Sequence, residues 1–437
     1  MPGTSRASCL RLTRIVHDGK KRTSFNGKLR DYACKRTQPE PHLLFAERST
    51  LRMRLVYLSN SKIPSREANS IHVMKMCQAF SHLGHEVTLL APDVVDGLEP
   101  GVSDLYAFYG VDPCFGLRKL PWRPVRGRGW IYGWEAGQLV RGLGVDTVFG
   151  RSLHACAAAA RSGIPTIWDA HMLSFLDRRG ERWLFRRMIN APSFKHLSVN
   201  CASLGRCILE RVPELQGRIV VAHNGADELA NGLTPAELGT PGRPQVGYVG
   251  HLYAGKGFEI IPALAALVPW ADFHVVGGEQ KTVELLRADH SLPKNVRLHG
   301  FVPPAETERL CLALDVLLAP YQSEVRIAGN GETAAWMSPL KVFNYMAARK
   351  PILCSDLPVL REVIEDGRNG ILVPPDNPEA WAAALQRLLD DPSLREQLGT
   401  RAQADFLARH TWRQRASRVL DGPVSGAETG DRGAAPR

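Results

Sequence analysis

Two runs of strand–helix alternation, parted by a Gly/Pro-rich stretch, constrain this chain more than any other feature. Residues 54–59 (RLVYLS) form a short apolar run rich in β-formers. After a polar loop, residues 72–83 place Val73, Met76, Cys77, Phe80 and Leu83 at i, i+3, i+4, i+7 and i+10, the spacing of one helix face. Gly84 stops that helix, and residues 86–91 (EVTLLA) read as a second strand. Strand, loop, helix, strand is the opening of a doubly wound α/β domain. Further strands are expected at 146–149, 166–168, 197–200 and 219–222. Residues 237–244 (ELGTPGRP) read as a linker. A second series follows, with strands expected at 245–249, 272–276, 296–298, 316–319, 352–355 and 370–373. Helices are expected at 341–348 and 379–389, and a last one at about 403–420. The fold expected is α/β, with two Rossmann-like domains facing each other across a cleft. In such sheets ligands lie beyond the C-terminal ends of the strands.

The expected organisation is a basic leader at 1–52, an N-terminal domain at 53–236, the linker at 237–244 and a second domain at 245–405. A C-terminal helix at 406–421 and a disordered tail at 422–437 complete it. The first 52 residues hold twelve Lys/Arg against four Asp/Glu, so they carry eight of the net +11 charges. They lack the apolar region of a secretory signal. They read as a transit-like leader or as a start set too early, since Met53 immediately precedes the first strand. The rest of the chain is only weakly basic, which argues against a nucleic-acid-binding face. The nine Cys are scattered without a C-x-x-C pair, so neither a disulfide framework nor a zinc spacing is supported. Cys77, Cys311 and Cys354 sit in apolar runs and read as core residues of a protein in a reducing cytoplasm. A membrane span needs about 18 or more consecutive apolar residues, and no run here approaches that length. The expectation is a cytoplasmic protein, soluble or peripheral at the inner face of the membrane.

Two segments of the second domain carry chemistry. Residues 249–258 (VGHLYAGKGF) follow a strand directly, where a turn at Gly250 lets the backbone approach a phosphate and Lys256 can meet a diphosphate. Residues 338–347 (SPLKVFNYMA) read as a helix capped by Ser338, with Pro339 in its first turn and Lys341 adding charge to an anion-attracting N-terminus. Taken alone, an ordinary strand–turn with a surface lysine and a plain capped amphipathic helix explain them better than function does.

Together with VAHNGAD (221–227), VRLHGFVP (296–303), DVLLAPYQS (315–323) and the continuation of the second segment to NPEAW (377–381), they form a pattern. So do IPSREANSIHVMKMCQAFSHLGHEVTLLAPD (63–93) and TIWDAHM (166–172). Over about residues 53–421 the chain resembles the retaining GT-B glycosyltransferases of family 4 (group 1). That resemblance implies transfer of a sugar from a nucleotide-diphosphate sugar to a glycan or lipid-linked acceptor, with no cofactor and no metal. It implies donor contacts from Gly250, His251, Ser338, Pro339, Leu340, Lys341 and Asn344, and catalytic roles for Lys256 and His171. Arg66, Asn69 and Ser70, in the loop at 63–70, fall on the acceptor side; Asn69 and Ser70 also read as helix caps.

The sequence departs from the family pattern in four places. Glu67-Ala68 stands in the loop at 63–70 where the family often has a Gly-Gly pair. His251 stands where Arg is more usual. Trp336 and Asn344 stand where the family commonly carries Glu, seven residues, then Glu. The literal Glu-x7-Glu at Glu324 and Glu332 falls twelve residues too early and is read as a decoy. The departures favour, as alternatives, a non-catalytic GT-B-like subunit that binds sugar nucleotide, or with less support a GT-B epimerase. Asp169 either orients His171 or caps the next turn. Residues 176–189 (LDRRGERWLFRRMI) mix arginines with Trp183 and read as a solvated basic face or as a contact for an anionic membrane surface.

Overall fold

Short apolar runs bounded by turn residues become parallel strands buried on both faces, which is why they read as near-continuous hydrophobic stretches. The computed structural model describes residues 51–94, 96–289, 291–327, 331–332 and 334–423, and there these runs form two sheets. The first contains β1 (Arg54–Leu58), β2 (Glu86–Asp93), β3 (Gly116–Pro121), β4 (Thr147–Gly150), β5 (Thr166–Ala170), β6 (Phe194–Val199) and β7 (Ile219–Val221). Its order is β3-β2-β1-β4-β5-β6-β7, all parallel. The second contains β8 (Gln245–Val249), β9 (Asp272–Val276), β10 (Val296–Gly300) and β11 (Val316–Ala319). A two-stranded β12 (Arg326–Ile327) and β13 (Gly331–Glu332) pair follows, then β14 (Ile352–Ser355) and β15 (Ile371–Val373). Its order is β10-β9-β8-β11-β14-β15, again all parallel. The α/β fold with two Rossmann-like sheets is thus as expected. Glu324 is exposed and Glu332 lies in β13, so the early Glu-x7-Glu is not on a helix.

The helices of the first lobe are α1 (Ala68–His82), α2 (Leu105–Tyr109), α3 (Arg128–Leu143), α4 (Leu153–Arg161), α5 (Ser174–Asp177), α6 (Arg179–Ile189) and α7 (Ala202–Arg211). Those of the second are α8 (Ile261–Leu267), α9 (Gln280–Ala288), α10 (Pro304–Ala313), α11 (Leu340–Ala347) and α12 (Pro378–Asp390), followed by α13 (Pro392–Arg409) and α14 (Trp412–Asp421). The single last helix expected at about 403–420 is therefore two, and the range 406–421 straddles their break. After Arg409 the chain pairs briefly with Ala226 through Thr411, whose hydroxyl accepts from Gln414 N at 3.1 Å and caps α14. α14 then returns to the first lobe. Its Trp412, Ala416 and Val419 share a core with Val73, Cys77 and Phe80 of α1. β3 has no counterpart in the sequence reading: it is an edge strand whose Arg118 and Lys119 give it no apolar run.

Cys77, Cys311 and Cys354 are buried as expected. Among the described residues no helix is long and apolar enough to cross a membrane. The leader (1–50) and the tail from 424 onward lie outside the described residues.

Candidate active site

β5 delivers Asp169 to the sheet's C-terminal edge, and His171 follows two residues later. The Asp169 carboxylate is wholly buried. Its two oxygens accept from Arg415 Nη2 of α14 at 3.0 and 2.9 Å, and Oδ2 also accepts from His171 Nε2 at 2.8 Å. A carboxylate only accepts, so Nε2 of His171 carries the proton and Nδ1 is left as an acceptor. Asp169 therefore orients His171 and does not cap a turn. Burial pushes the Asp169 carboxyl up, but Arg415 and His171 outweigh it and hold it well below the usual carboxylate range. Burial, and after it the Arg151 charge, lowers His171 to about 4, so its imidazole is neutral at physiological pH.

His72, from α1, lies against the same carboxylate, with its Nε2 3.4 Å from Asp169 Oδ2 and its ring 4.9 Å from that of His171. Its Nδ1 is 3.0 Å from Asn224 Oδ1. Asn224 Nδ2 donates to the Ser338 carbonyl at 2.7 Å, which fixes the amide with Oδ1 toward His72. His72 is therefore the Nδ1–H tautomer, and burial holds its pKa well below the ordinary histidine value. His72, Asp169 and His171 are close enough to be considered as metal ligands. Their charge environment opposes a cation, because both Asp169 oxygens are engaged by Arg415 and Arg151 stands nearby.

The second lobe presents the opposite electrostatics. Lys341, in the first turn of α11, is buried with its Nζ 3.8 Å from the Tyr248 ring centroid and 4.6 Å from that of Tyr321. Lys256 Nζ lies 5.6 Å from the same Tyr321 centroid. Lys341 Nζ donates to the Lys256 carbonyl at 3.3 Å, and neither ammonium has a carboxylate partner among the described residues. Burial first, then the Lys256 charge, pulls Lys341 well below the ordinary lysine value; burial lowers Lys256 as well. Two neighbouring cations without a counter-ion are a ready site for an anion. Gly250 permits the approach: a Cβ there would sit 3.2 Å from Lys341 Nζ, and its φ of 150° suits glycine. Gly257, at φ 106°, closes the loop so tightly that a Cβ would meet the Pro320 carbonyl at 2.3 Å. His251 is exposed and stacked on Tyr253 at 5.0 Å; burial of the ring nitrogens and the two lysine charges lower its pKa.

Polar ties join the two walls. Asn224 N donates to Ser338 Oγ at 2.9 Å, so a hydrogen-bonded chain runs from Ser338 through Asn224 to His72, whose Nε2 abuts the Asp169 carboxylate without a hydrogen bond. Glu362, beyond β14, caps α7 of the first lobe, accepting from Ala202 N at 2.7 Å and Ser203 N at 2.9 Å. The Arg66 guanidinium lies 3.8 Å from the Phe301 ring centroid and pairs with Glu99.

Several sequence expectations need correction. Ser338 does not cap α11: its hydroxyl serves Asn224 instead. Pro339 occupies the N-cap position with extended backbone, and the helix starts at Leu340, which packs against the α1–α14 core. Asn69 and Ser70 are not caps of α1 either. The helix begins at Ala68 after Glu67, and Ser70 Oγ turns back to the Ser65 and Glu67 carbonyls, each at 2.8 Å. Asn344 is exposed on α11, one turn beyond Lys341, whereas Trp336 is half-buried and its carbonyl accepts from Asn200 Nδ2 at 3.2 Å. Sequence reasoning missed Asn224, His72 and Arg415 as site residues. VAHNGAD marked the first and helical spacing spanned the second, but Arg415 has no local signal because its partner is 246 residues away.

The comparisons with known proteins decide the family. The description "Glycosyltransferase Family 4" matches residues 70–228, and "Glycosyl transferases group 1" matches residues 234–405. The chain belongs to this glycosyltransferase family. It is 25% identical over 244 residues to spore coat protein SA of Bacillus subtilis (strain 168), covering 50% of this chain and 61% of that one. It is 29% identical over 170 residues to an alpha-D-kanosaminyltransferase of Streptomyces kanamyceticus, covering 38% and 41%. The chain thus spans about half the length of these curated relatives. Its fold is shared with Anabaena Alr3699/HepE, solved in complex with UDP, at a TM-score of 0.62 and 16% identity, covering 84% of this chain and 99% of that one. Sucrose-phosphate synthase of Thermosynechococcus elongatus superposes with the same TM-score and 16% identity, covering 84% and 98%. Both are two-lobed family folds of the GT-B kind.

Proposed function

We propose that this chain transfers a sugar, with retention, from a nucleotide-diphosphate sugar to a glycan or lipid-linked acceptor. The observation that carries the reading is the pair of uncompensated ammonium groups, Lys256 and Lys341, beside Gly250. A diphosphate placed there gains charge-assisted bonds, and these strengthen as the leaving group acquires charge. The bond between the anomeric carbon and the diphosphate oxygen breaks, the acceptor oxygen bonds to that carbon on the same face, and the acceptor proton passes to the departing phosphate. Asp169 is excluded as a covalent nucleophile because it is wholly buried beneath Arg415. The free Nδ1 of neutral His171 accepts from a sugar or acceptor hydroxyl and so orients it. Asn344, exposed one turn after Lys341, faces the ribose in this reading; Gly250, His251, Ser338, Pro339 and Leu340 complete the donor wall. Arg66, Asn69 and Ser70 lie on the acceptor side. The reaction runs without a metal or cofactor, in the cytoplasm or at the inner membrane face.

One observation favours a sugar-nucleotide-binding subunit without transfer: Trp336 and Asn344 leave the site without the two carboxylates common in the family. Parent, Lys256→Ala and His171→Ala chains separate the readings. A nucleotide-sugar panel should raise the parent's melting temperature and leave Lys256→Ala unmoved. His171→Ala should keep the donor shift but lose turnover of radiolabelled sugar, since its contact matters most in the transition state. A parent that shifts with a donor yet transfers to no glycan or lipid acceptor supports the binding subunit and refutes the transferase.

A further inference from the structure

The face built by α3 and α6 carries groups that the cleft does not use. α3 buries Tyr132, Ala136 and Val140 and turns Trp130 and Trp134 outward, 44% and 63% exposed. α6 buries Leu184, Phe185 and Met188 and leaves Trp183 50% exposed. Both helices pack on α4. The glycines of α3 allow its close approach: a Cβ on Gly137 would sit 2.8 Å from Ala158 Cβ, and one on Gly133 would sit 2.7 Å from the His154 backbone. The Trp130 and Trp183 rings are 6.4 Å apart, so the indoles form one ridge.

That ridge is set in charge of one sign. Arg123 and Arg178 are paired with Glu135 and Glu181, but Arg126, Arg128, Arg179, Arg182, Arg186 and Arg187 have no carboxylate partner among the described residues. Arg187 links the ridge to a cavity. Its guanidinium lies 5.0 Å from the Trp183 ring centroid, and with Arg161 and Lys195 it lines a recess of about 580 Å³ that contains no acidic side chain. A recess of similar size elsewhere, about 560 Å³, is also lined by arginines but holds Asp272, which pairs with Arg243 and Arg297 at 3.0 and 3.4 Å. The contrast shows that the positive potential of the first recess is left uncompensated. The α5 end of the face adjoins the candidate site, since α5 begins three residues after His171 and Met172 between them is 42% exposed, whereas the recess lies at the other end of β5 and β6, beside Pro165 and Ser193.

We propose that this face docks on an anionic phospholipid surface, with Trp130, Trp134 and Trp183 at headgroup level and the Arg161–Arg187–Lys195 recess holding a lipid phosphate. Indoles are amphipathic and settle at the membrane–water interface. Unpaired arginines above them are drawn to anionic headgroups and bind phosphate with a planar fork. Basic and aromatic residues on one amphipathic face are the pattern of an interfacial helix, here doubled by α3. The inference builds on the proposed lipid-linked acceptor, since it would hold the cleft mouth at the surface where such an acceptor lies.

The experiment is co-sedimentation of the full chain with phosphatidylcholine vesicles, with and without 30 mol% phosphatidylglycerol as an anionic lipid. The parent should sediment with the anionic vesicles and be released by high salt. Two variants, Trp134→Ser/Trp183→Ser and Arg161→Gln/Arg187→Gln/Lys195→Gln, should each lose at least about tenfold in partition coefficient. Arg161→Lys/Arg187→Lys should keep most of it. Melting curves matching the parent's confirm that the exposed substitutions leave the fold intact. A parent that ignores anionic vesicles, or variants that sediment like the parent, overturns the inference; the second outcome assigns binding to the basic leader. Partition that survives the Trp→Ser pair but is abolished by free inorganic phosphate also overturns it, because it reports a phosphate site and not a membrane face. Sedimentation requires no sugar transfer, so a chain that binds vesicles but transfers nothing sinks the proposed function alone.

Discussion

Replacing Arg415 with Met tests how the first-lobe wall of the candidate site is held together. Arg415 and Asp169 are 1% and 0% exposed, and the pair joins the last helix to the first sheet. Removing one partner of a buried ion pair costs about 3–5 kcal/mol, because the other charge is left buried without compensation. Met fills much of the same volume, so the loss is chiefly electrostatic. The pH dependence carries the sign. In the parent the folded Asp169 pKa lies below its unfolded value of about 3.9, so its contribution is complete at neutral pH and lost only as pH falls through the acid range. In the variant only the His171 and His72 contacts oppose burial, so the folded Asp169 pKa rises from its parent value and the Asp169–His171 pair takes up a proton more readily. The deficit should then shrink as pH falls from about 8 to 5 and the pair takes up that proton. Urea unfolding followed by tryptophan fluorescence at both pH values reads this directly. Asp169→Asn combined with Arg415→Met should be more stable at pH 8 than Arg415→Met alone, since it no longer buries an unpaired carboxylate. A deficit below about 1 kcal/mol, or one that grows toward acid pH, would refute the buried-pair argument.

Lys341→Met should raise the urea midpoint of the free protein while abolishing the thermal shift given by nucleotide sugars, because it removes a buried charge that only a bound anion compensates. The folded Lys341 and Lys256 pKa values are both depressed, so the parent gains stability as pH rises from neutral toward about 10; the variant should lose the Lys341 part of that rise and keep only that of Lys256. Asn344→Glu should maintain or strengthen binding of a nucleoside diphosphate by titration calorimetry, since a carboxylate accepts from ribose hydroxyls with charge assistance. Weakened binding would place Asn344 away from the ribose.

Both sheets were legible in the sequence because parallel strands buried on two faces leave dense apolar runs, as Leu55–Leu58 and Val316–Ala319 do. β3 was hidden because an edge strand needs no such run. Of the candidate site, local grammar located the elements: the glycine turn at Gly250 with Lys256 after β8, the opening of α11 at Lys341, and His171 after β5. The hydrogen-bond assignments did not. Ser338 reads as a cap by local preference, but Asn224 outcompetes the helix for its hydroxyl. Ser70 likewise bonds back to Ser65 and Glu67. Arg415 was invisible for a different reason: its meaning depends on α14 folding back across the cleft, a long-range arrangement that no window of sequence encodes.

The two walls solve opposite electrostatic problems, and this explains why the Asn224–Ser338 tie between them is neutral. The second-lobe wall keeps two lysines without a carboxylate partner among the described residues, which costs stability until an anion arrives. The first-lobe wall balances one carboxylate against Arg415, with Arg151 nearby, and keeps His72 and His171 neutral. A carboxylate placed between the walls would pair with Lys256 or Lys341 and compete with an incoming anion. Asn224 and Ser338 connect the walls without offering such a competitor. Their bonds are directional, so they set the position of α11 relative to His72 while leaving the field at the lysines unchanged. Glu362, the carboxylate that does cross between the lobes, is spent on the N-terminus of α7 and so adds a clasp without neutralising the anion site.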